Sequence, residues 1–77
     1  MNEDEEALFL LTHNEVKVYI KEKLVAEYWT RNGIRDGEYK MYYADTGQLH
    51  LHVWFKWDVE VADFIKNPEL KKEYGIE

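Results

Sequence analysis

Two histidines separated by a single residue are the feature of this sequence that most resembles a reactive site. His50 and His52 alternate with leucine, and on a β-strand this spacing places both imidazoles on the same face. Two such imidazoles could hold a metal ion, but a zinc site needs a third and usually a fourth ligand. Glu27 and His13 are the further candidates, and nothing in the sequence brings them close. We therefore expect partly exposed histidines and no metal site.

The other residues of the chain give little support for an enzymatic function. The histidine pair could do acid–base work, since imidazole titrates near neutral pH. However, the chain has no serine and no cysteine, which excludes nucleophile–base triads of those types. It also has no Gly-rich phosphate loop, and Asp58, Glu60 and Asp63 are spaced like a helix cap and a solvated face. We expect a non-enzymatic protein without a catalytic residue or a cofactor.

Alternating apolar and polar residues show which elements must position the histidines. The alternation predicts strands over residues 16–20, 24–30, 38–43 and 48–57. The apolar run at 7–11 is too short for periodicity to separate a strand from the end of a helix. We favour a strand there, because the turn-like residues 12–14 follow it, and we interpret residues 1–6 as a solvated acidic lead.

The turns between these strands are marked by three glycines. Asn32-Gly33 and Asp36-Gly37 are both hairpin signals, so one is expected to form a turn and the other a bulge. Asp45-Thr46-Gly47 fits a three-residue hairpin loop. That loop length predicts the pairs Tyr43–Leu49, Tyr42–His50, Met41–Leu51, Lys40–His52 and Tyr39–Val53.

The period changes to a helical one after Asp58. Asp58 would cap a helix, Asn67-Pro68 would restart it, and Gly75 would end it. The sequence therefore predicts a single α+β domain, with an antiparallel sheet over 7–57 and a C-terminal helical segment over 58–75. We expect this segment to pack on one face of a meander of four to five strands, covering Leu49, Leu51, Val53 and Phe55.

The opposite sheet face is the predicted contact surface for a partner. It carries aromatic side chains interleaved with basic ones, the residues Trp29, Arg31, Lys40, Tyr42, His50, His52 and Trp54. Such a face resembles a protein-binding patch or a stacking platform for single-stranded nucleic acid. The net charge of −6 favours another protein, or a second copy of the chain, over nucleic acid. Whether this face is a binding surface or covered core stays open.

The acidic residues suggest a further alternative. The run Glu3-Asp4-Glu5-Glu6 could imitate nucleic acid and block a basic enzyme, although such runs are more often solvated. An acidic N-terminus is also unlike the basic start of a signal peptide. No apolar run approaches membrane-spanning length, and the chain lacks cysteine. We therefore expect a small cytoplasmic protein that does not engage a membrane.

One segment carries a recognisable pattern. Residues 32–56 contain Asn32-Gly33, then Asp36-Gly37-Glu38-Tyr39-Lys40, paired tyrosines at 42–43, Gly47-Gln48-Leu49 and a closing Phe55-Lys56. This order resembles the variant MORN repeat, some bacterial members of which are antitoxin-like. The resemblance implies stacked β-hairpins that form an interaction surface and not a catalytic site. It is compatible with an inhibitor or a scaffold. Trp57-Asp58-Val59 departs from the pattern, which would have another Gly-containing turn there.

Overall fold

The protein is a single antiparallel sheet flanked by a helix at each end of the chain. The computed structural model describes residues 2–76. Its elements are helix α1 (Glu3–Thr12), strands β1 (Asn14–Ile20), β2 (Lys23–Arg31), β3 (Ile34–Tyr42), β4 (Leu49–Lys56) and β5 (Val59–Asp63), and a C-terminal 3-10 helix (Pro68–Tyr74). The five strands pair in chain order. The predicted α+β meander is therefore correct in outline, whereas the placement of the helices differs: α1 is additional, and the C-terminal helix occupies only part of the predicted segment 58–75.

Three of the four hairpins close with tight turns in the left-handed backbone region. Both central residues have positive φ in Lys21-Glu22, Asn32-Gly33 and Trp57-Asp58, as a type I′ turn requires. Of the two glycine pairs, Asn32-Gly33 therefore forms the turn. Asp36-Gly37 lies where the β2–β3 register shifts, and Gly37 has a φ of 120°. The second glycine pair therefore forms the bulge.

The β3–β4 hairpin keeps most of its predicted register through a compensating irregularity. The pairs Tyr39–Val53, Lys40–His52 and Met41–Leu51 form as predicted. Tyr42, however, pairs with Leu49, and the N–H of Tyr43 donates to the carbonyl of Gln48 at 2.9 Å. The loop thus holds residues 44–47 and is one residue longer than expected. His50 is the extra residue of a bulge, which restores the predicted register beyond it.

The N-terminal segment is helical, so the strand that we favoured over residues 7–11 is wrong. Asn2 caps α1, since its side-chain oxygen accepts a 2.8 Å hydrogen bond from the N–H of Glu5. The acidic residues 3–6 fill the first turn, where the helix dipole favours negative charge. The expected solvated lead is therefore the beginning of the helix.

The C-terminal segment contains a strand, so the helix predicted from Asp58 is wrong over residues 58–63. Asp58 is the second residue of a tight turn, and β5 follows it with the β-branched residues Val59 and Val61. The later signals are confirmed. Pro68 stands at the first turn of the 3-10 helix, and Gly75 ends it in the left-handed conformation.

The helical elements lie on the sheet face opposite to the one we expected. The face of Val53 and Phe55 is closed by side chains of the sheet itself. The ring of Tyr28 stacks on Tyr39 at 4.7 Å, Tyr39 meets Phe55 edge-on at 5.3 Å, and the guanidinium of Arg35 lies 4.1 Å from the Phe55 centroid. These contacts leave Val53 fully buried without a helix above it. Both helices instead cover the face that carries Trp29 and Trp54.

Candidate binding groove

Helix α1 is attached to the sheet by Phe9. Its ring meets Trp29 edge-on, with centroids 5.2 Å apart. The bulge at Gly37 makes room for it, because an added Cβ there would lie 3.0 Å from Cζ of Phe9. Gly37 therefore determines where α1 packs on the sheet.

A buried histidine makes the second attachment of α1. The His13 ring stacks on Phe9, with centroids 3.7 Å apart. Its Nε2 lies 3.0 Å from Oδ1 of Asp36, and its Nδ1 lies 3.0 Å from the carbonyl of Phe9. The other Asp36 oxygen accepts a 3.2 Å hydrogen bond from the N–H of Trp57. Asp36 therefore joins the helix end, the bulge in β3 and the β4–β5 turn.

The C-terminal helix is attached through aromatic contacts of its own. Tyr74 lies 4.9 Å from Trp54 and 5.6 Å from Phe64, measured between ring centroids. Phe64 is almost fully buried and lies 4.9 Å from the ring of His52. The N–H of Phe64 also donates to the carbonyl of His52 at 2.9 Å. The two helices thus stand on either side of Trp54.

Between the helices lies a groove with an aromatic floor, which we call the aromatic groove. Its larger part measures about 570 Å³ and its smaller part about 280 Å³. Both parts share Phe9, Trp54 and Tyr74. The larger part adds Glu5, Lys56 and Glu73, and the smaller part adds Glu6, Leu10, Trp29 and Glu38. The groove therefore combines aromatic rings with carboxylates.

Two carboxylates of the groove are already occupied by neighbouring groups. Glu38 accepts from His52 Nε2 at 2.6 Å and lies 3.6 Å from Nζ of Lys40, while Asp36 binds His13. Three other carboxylates, those of Glu5, Glu6 and Glu73, form no ion pair within residues 2–76. The groove consequently presents negative charge that the described part of the chain leaves without an ion pair.

The predicted contact residues are divided between several environments. Trp54 and Trp29 line the aromatic groove, whereas His52 is buried beneath it. Lys40 pairs with Glu38. The remaining three lie against other neighbours: Tyr42 donates to Glu27 at 2.8 Å, His50 lies against Tyr43, and Arg31 lies over Trp57. Only part of the predicted face is therefore accessible as one surface.

The histidines considered as metal ligands have separate partners. His13 and His52 each contact a different carboxylate, and His50 is an exposed bulge residue. Within residues 2–76, no three His, Asp or Glu side chains are grouped as metal ligands. Residues two apart on a regular strand share one face, but the bulge at His50 gives the rings of His50 and His52 different surroundings.

Sequence reasoning missed Phe9 and Tyr74 as lining residues of the groove. The sequence pattern predicts a strand at Phe9 and a helical segment over 58–75 that includes Tyr74, and it relates neither residue to a shared surface. The available signal was the capping pattern of Asn2 followed by acidic residues, which would have made residues 3–12 a helix. The buried role of Asp36 has no comparable local signal, because its partners are distant in sequence.

Comparison with protein-family models, with curated proteins and with solved structures finds no match. The resemblance of residues 32–56 to the variant MORN repeat therefore stays a prediction. Among the described residues, no helix is long and apolar enough to cross a membrane.

Proposed function

We propose that this chain is a small non-enzymatic protein-interaction module that binds a segment of another protein in the aromatic groove. The observation that carries the proposal is the position of Trp54, which lies between the two helices and lines both parts of the groove. Tryptophan and tyrosine are the most frequent energetic anchors of protein interfaces. A cytoplasmic inhibitor or antitoxin-like protein would act through such a surface, and the MORN resemblance implies an interaction surface of this kind.

The dimensions of the groove fit side chains of a partner. Its larger part, at about 570 Å³, lies within the 300–1,000 Å³ range that is usual for ligand pockets. Leu10 of α1 lines the smaller part and exposes 55% of its surface, and the same helix exposes Leu8 and Leu11, at 62% and 84%. Exposed apolar side chains next to a groove enlarge the area that a partner can bury.

A protein partner fits the groove better than nucleic acid does. Phosphates would meet the carboxylates of Glu5, Glu6 and Glu73, and the whole chain carries a net charge of −6. Binding to nucleic acid usually depends on Lys and Arg that neutralise phosphates. If single strands do bind, their affinity must fall steeply with salt, and no binding to oligonucleotides at low salt eliminates that alternative.

The test compares two tryptophans. The wild-type chain and the variants Trp54→Ala and Trp57→Ala are immobilised, and the captured proteins are identified by mass spectrometry. Trp57 is exposed, at 53% of its surface, and lies at a turn outside the lining of the aromatic groove. We expect a partner that is retained by wild type and Trp57→Ala and lost with Trp54→Ala.

Folding is measured separately, because Trp54 also contacts Tyr74. Urea unfolding of each variant shows whether the loss of binding exceeds the loss of stability. If Trp54→Ala unfolds, Trp54→Phe replaces it in the test, because phenylalanine preserves an aromatic ring. Capture that persists in a folded Trp54 variant contradicts the proposal. The native mass at rising concentration identifies the case in which the partner is a second copy.

A further inference from the structure

We infer that the aromatic groove contains a subsite for a guanidinium group, so that the bound partner inserts an arginine side chain over Trp54. This inference rests on the proposed function and specifies the chemistry of the partner. It follows from three features, namely the carboxylates of the groove that form no ion pair within residues 2–76, the arrangement of the rings, and the way in which the chain holds its own arginines.

The first feature is charge complementarity. Glu5 and Glu73 line the larger part of the groove from opposite helices, and neither forms an ion pair within residues 2–76. Lys56 is the one cation among the described lining residues of that part, and it is exposed. A partner group with positive charge gains attraction there, whereas an anion is repelled.

The second feature is the arrangement of the rings. Trp54 and Tyr74 lie 4.9 Å apart at an angle of 38°, and Phe9 lines the same space. A cation within about 6 Å of the centroid of such a ring is attracted to its face. Tryptophan gives the strongest attraction of the aromatic side chains. The groove therefore offers ring faces and carboxylates to the same occupant.

The third feature is the use of the same chemistry within the fold. The guanidinium of Arg35 lies 4.1 Å from the Phe55 centroid, and its Nε lies 2.6 Å from Oδ1 of Asp58. The guanidinium of Arg31 lies 5.3 Å from the Trp57 centroid. In both places an arginine covers an aromatic ring, that of Phe55 in β4 and that of Trp57 in the β4–β5 turn. An arginine from a partner would repeat this arrangement over Trp54.

Arginine fits these features better than lysine. Its guanidinium is planar, so it can stack on a ring while its edge donates hydrogen bonds to a carboxylate. A lysine ammonium is a compact and strongly hydrated charge, and it gives up more hydration on entering a groove lined by Phe9 and Trp54. An uncharged apolar side chain could occupy the rings but leaves Glu5 and Glu73 without a partner.

The first experiment measures binding of a matched pair of peptides. Acetyl-Gly-Arg-Gly-amide is titrated into the labelled protein, and the indole N–H resonance of Trp54 is followed by NMR. The control peptide replaces arginine by citrulline, which has a similar shape without the charge. We expect the arginine peptide to bind about tenfold more tightly, a difference of about 1.4 kcal/mol. Equal affinity of the two peptides overturns the inference.

The second experiment changes the charge of the protein. The double variant Glu5→Gln/Glu73→Gln removes the carboxylates of the subsite. The control Glu22→Gln/Asp45→Asn alters the net charge equally, in the two hairpin connections at the other end of the sheet. We expect the first variant to lose most of the preference for arginine and the control to keep it. Equal effects of both variants overturn the inference, since they indicate attraction by net charge alone.

These outcomes are separate from the test of the proposed function. If a captured protein depends on Trp54 but both peptides bind alike, the module stands and the arginine subsite is wrong. If the arginine peptide binds selectively but no captured protein depends on Trp54, the subsite stands and the proposed function is wrong.

Discussion

The ring of Phe9 occupies the space that a side chain at Gly37 would need. An added Cβ would lie 3.0 Å from Cζ of Phe9 and 3.1 Å from Cβ of Trp29. Gly37 also has a φ of 120°, a conformation that L-residues rarely adopt. The attachment of α1, and with it one wall of the aromatic groove, therefore depends on a single glycine in the β3 bulge.

We expect Gly37→Ala to destabilise the fold by about 2 to 4 kcal/mol, because backbone strain and overpacking against Phe9 add together. Gly33→Ala is the matched control. Gly33 also has positive φ, at 80°, but its added Cβ would meet nothing within 4 Å. We expect the control to lose only about 1 to 2 kcal/mol from strain. Urea unfolding measures both, and equal losses would show that Phe9 does not constrain this position.

Asp36→Ala should detach α1 from the sheet. The variant leaves His13 without its carboxylate partner and removes the acceptor for the N–H of Trp57. Leaving a buried polar group unsatisfied costs about 1 to 3 kcal/mol. Hydrogen exchange should show faster exchange in α1 than in the central strands. Asp45→Ala, in the exposed β3–β4 loop, is the control and should change stability by less than about 0.5 kcal/mol.

The sheet could be predicted because its signals are local. Asn32-Gly33 determines a turn by its own backbone preference. The register of β3 and β4 follows from alternation, which a single-residue slip would reverse. The error near Tyr42 arose because a four-residue loop and a bulge at His50 together shift and then restore that alternation. The predicted three-residue loop and the observed loop with its bulge give the same strand pairs from Met41–Leu51 onward, so the alternation of apolar and polar residues cannot distinguish them.

The turn that precedes β5 could not be predicted, because tertiary contacts determine it against its local signal. Trp57-Asp58 forms a left-handed turn although it contains no glycine. Without that turn signal, the sequence pattern predicts that Asp58 is a helix cap. The turn is held from a distance, since the N–H of Asp58 donates to the carbonyl of Arg35 at 2.8 Å and Arg31 covers Trp57. The aromatic groove depends on the same kind of information, because Phe9, Trp54 and Tyr74 come to line one space only in the folded chain.

Replacing Lys21-Glu22 by Asn-Gly should stabilise the β1–β2 hairpin. Both residues have positive φ, at 49° and 68°, and neither forms an ion pair among the described residues. Removing left-handed strain should contribute about 1 to 2 kcal/mol. The same replacement at Trp57-Asp58 should gain less, because it also removes the contacts with Arg31 and Arg35. Thermal unfolding of the two variants compares them, and an equal gain would contradict a role for those contacts.

Tyr42 should ionise well above the ordinary range of tyrosine. Burial, followed by the hydrogen bond that its hydroxyl donates to Glu27, raises the pKa of Tyr42 from 10.0 to about 12. The folded state therefore holds this proton more tightly than the unfolded state does. The resulting stabilisation is fully present below about pH 10 and is lost as the pH rises through about 12.

Spectrophotometric titration of the phenolate absorbance tests this assignment in the folded protein. We expect Tyr42→Phe to remove the component that titrates near pH 12. Tyr43→Phe is the matched control, since Tyr43 is the adjacent residue and is exposed over 53% of its surface; its replacement should leave that component in place. Glu27→Gln should lower the pKa of Tyr42, because a neutral amide no longer opposes formation of the phenolate. Loss of the high component in Tyr43→Phe, and its persistence in Tyr42→Phe, would contradict the Tyr42–Glu27 contact.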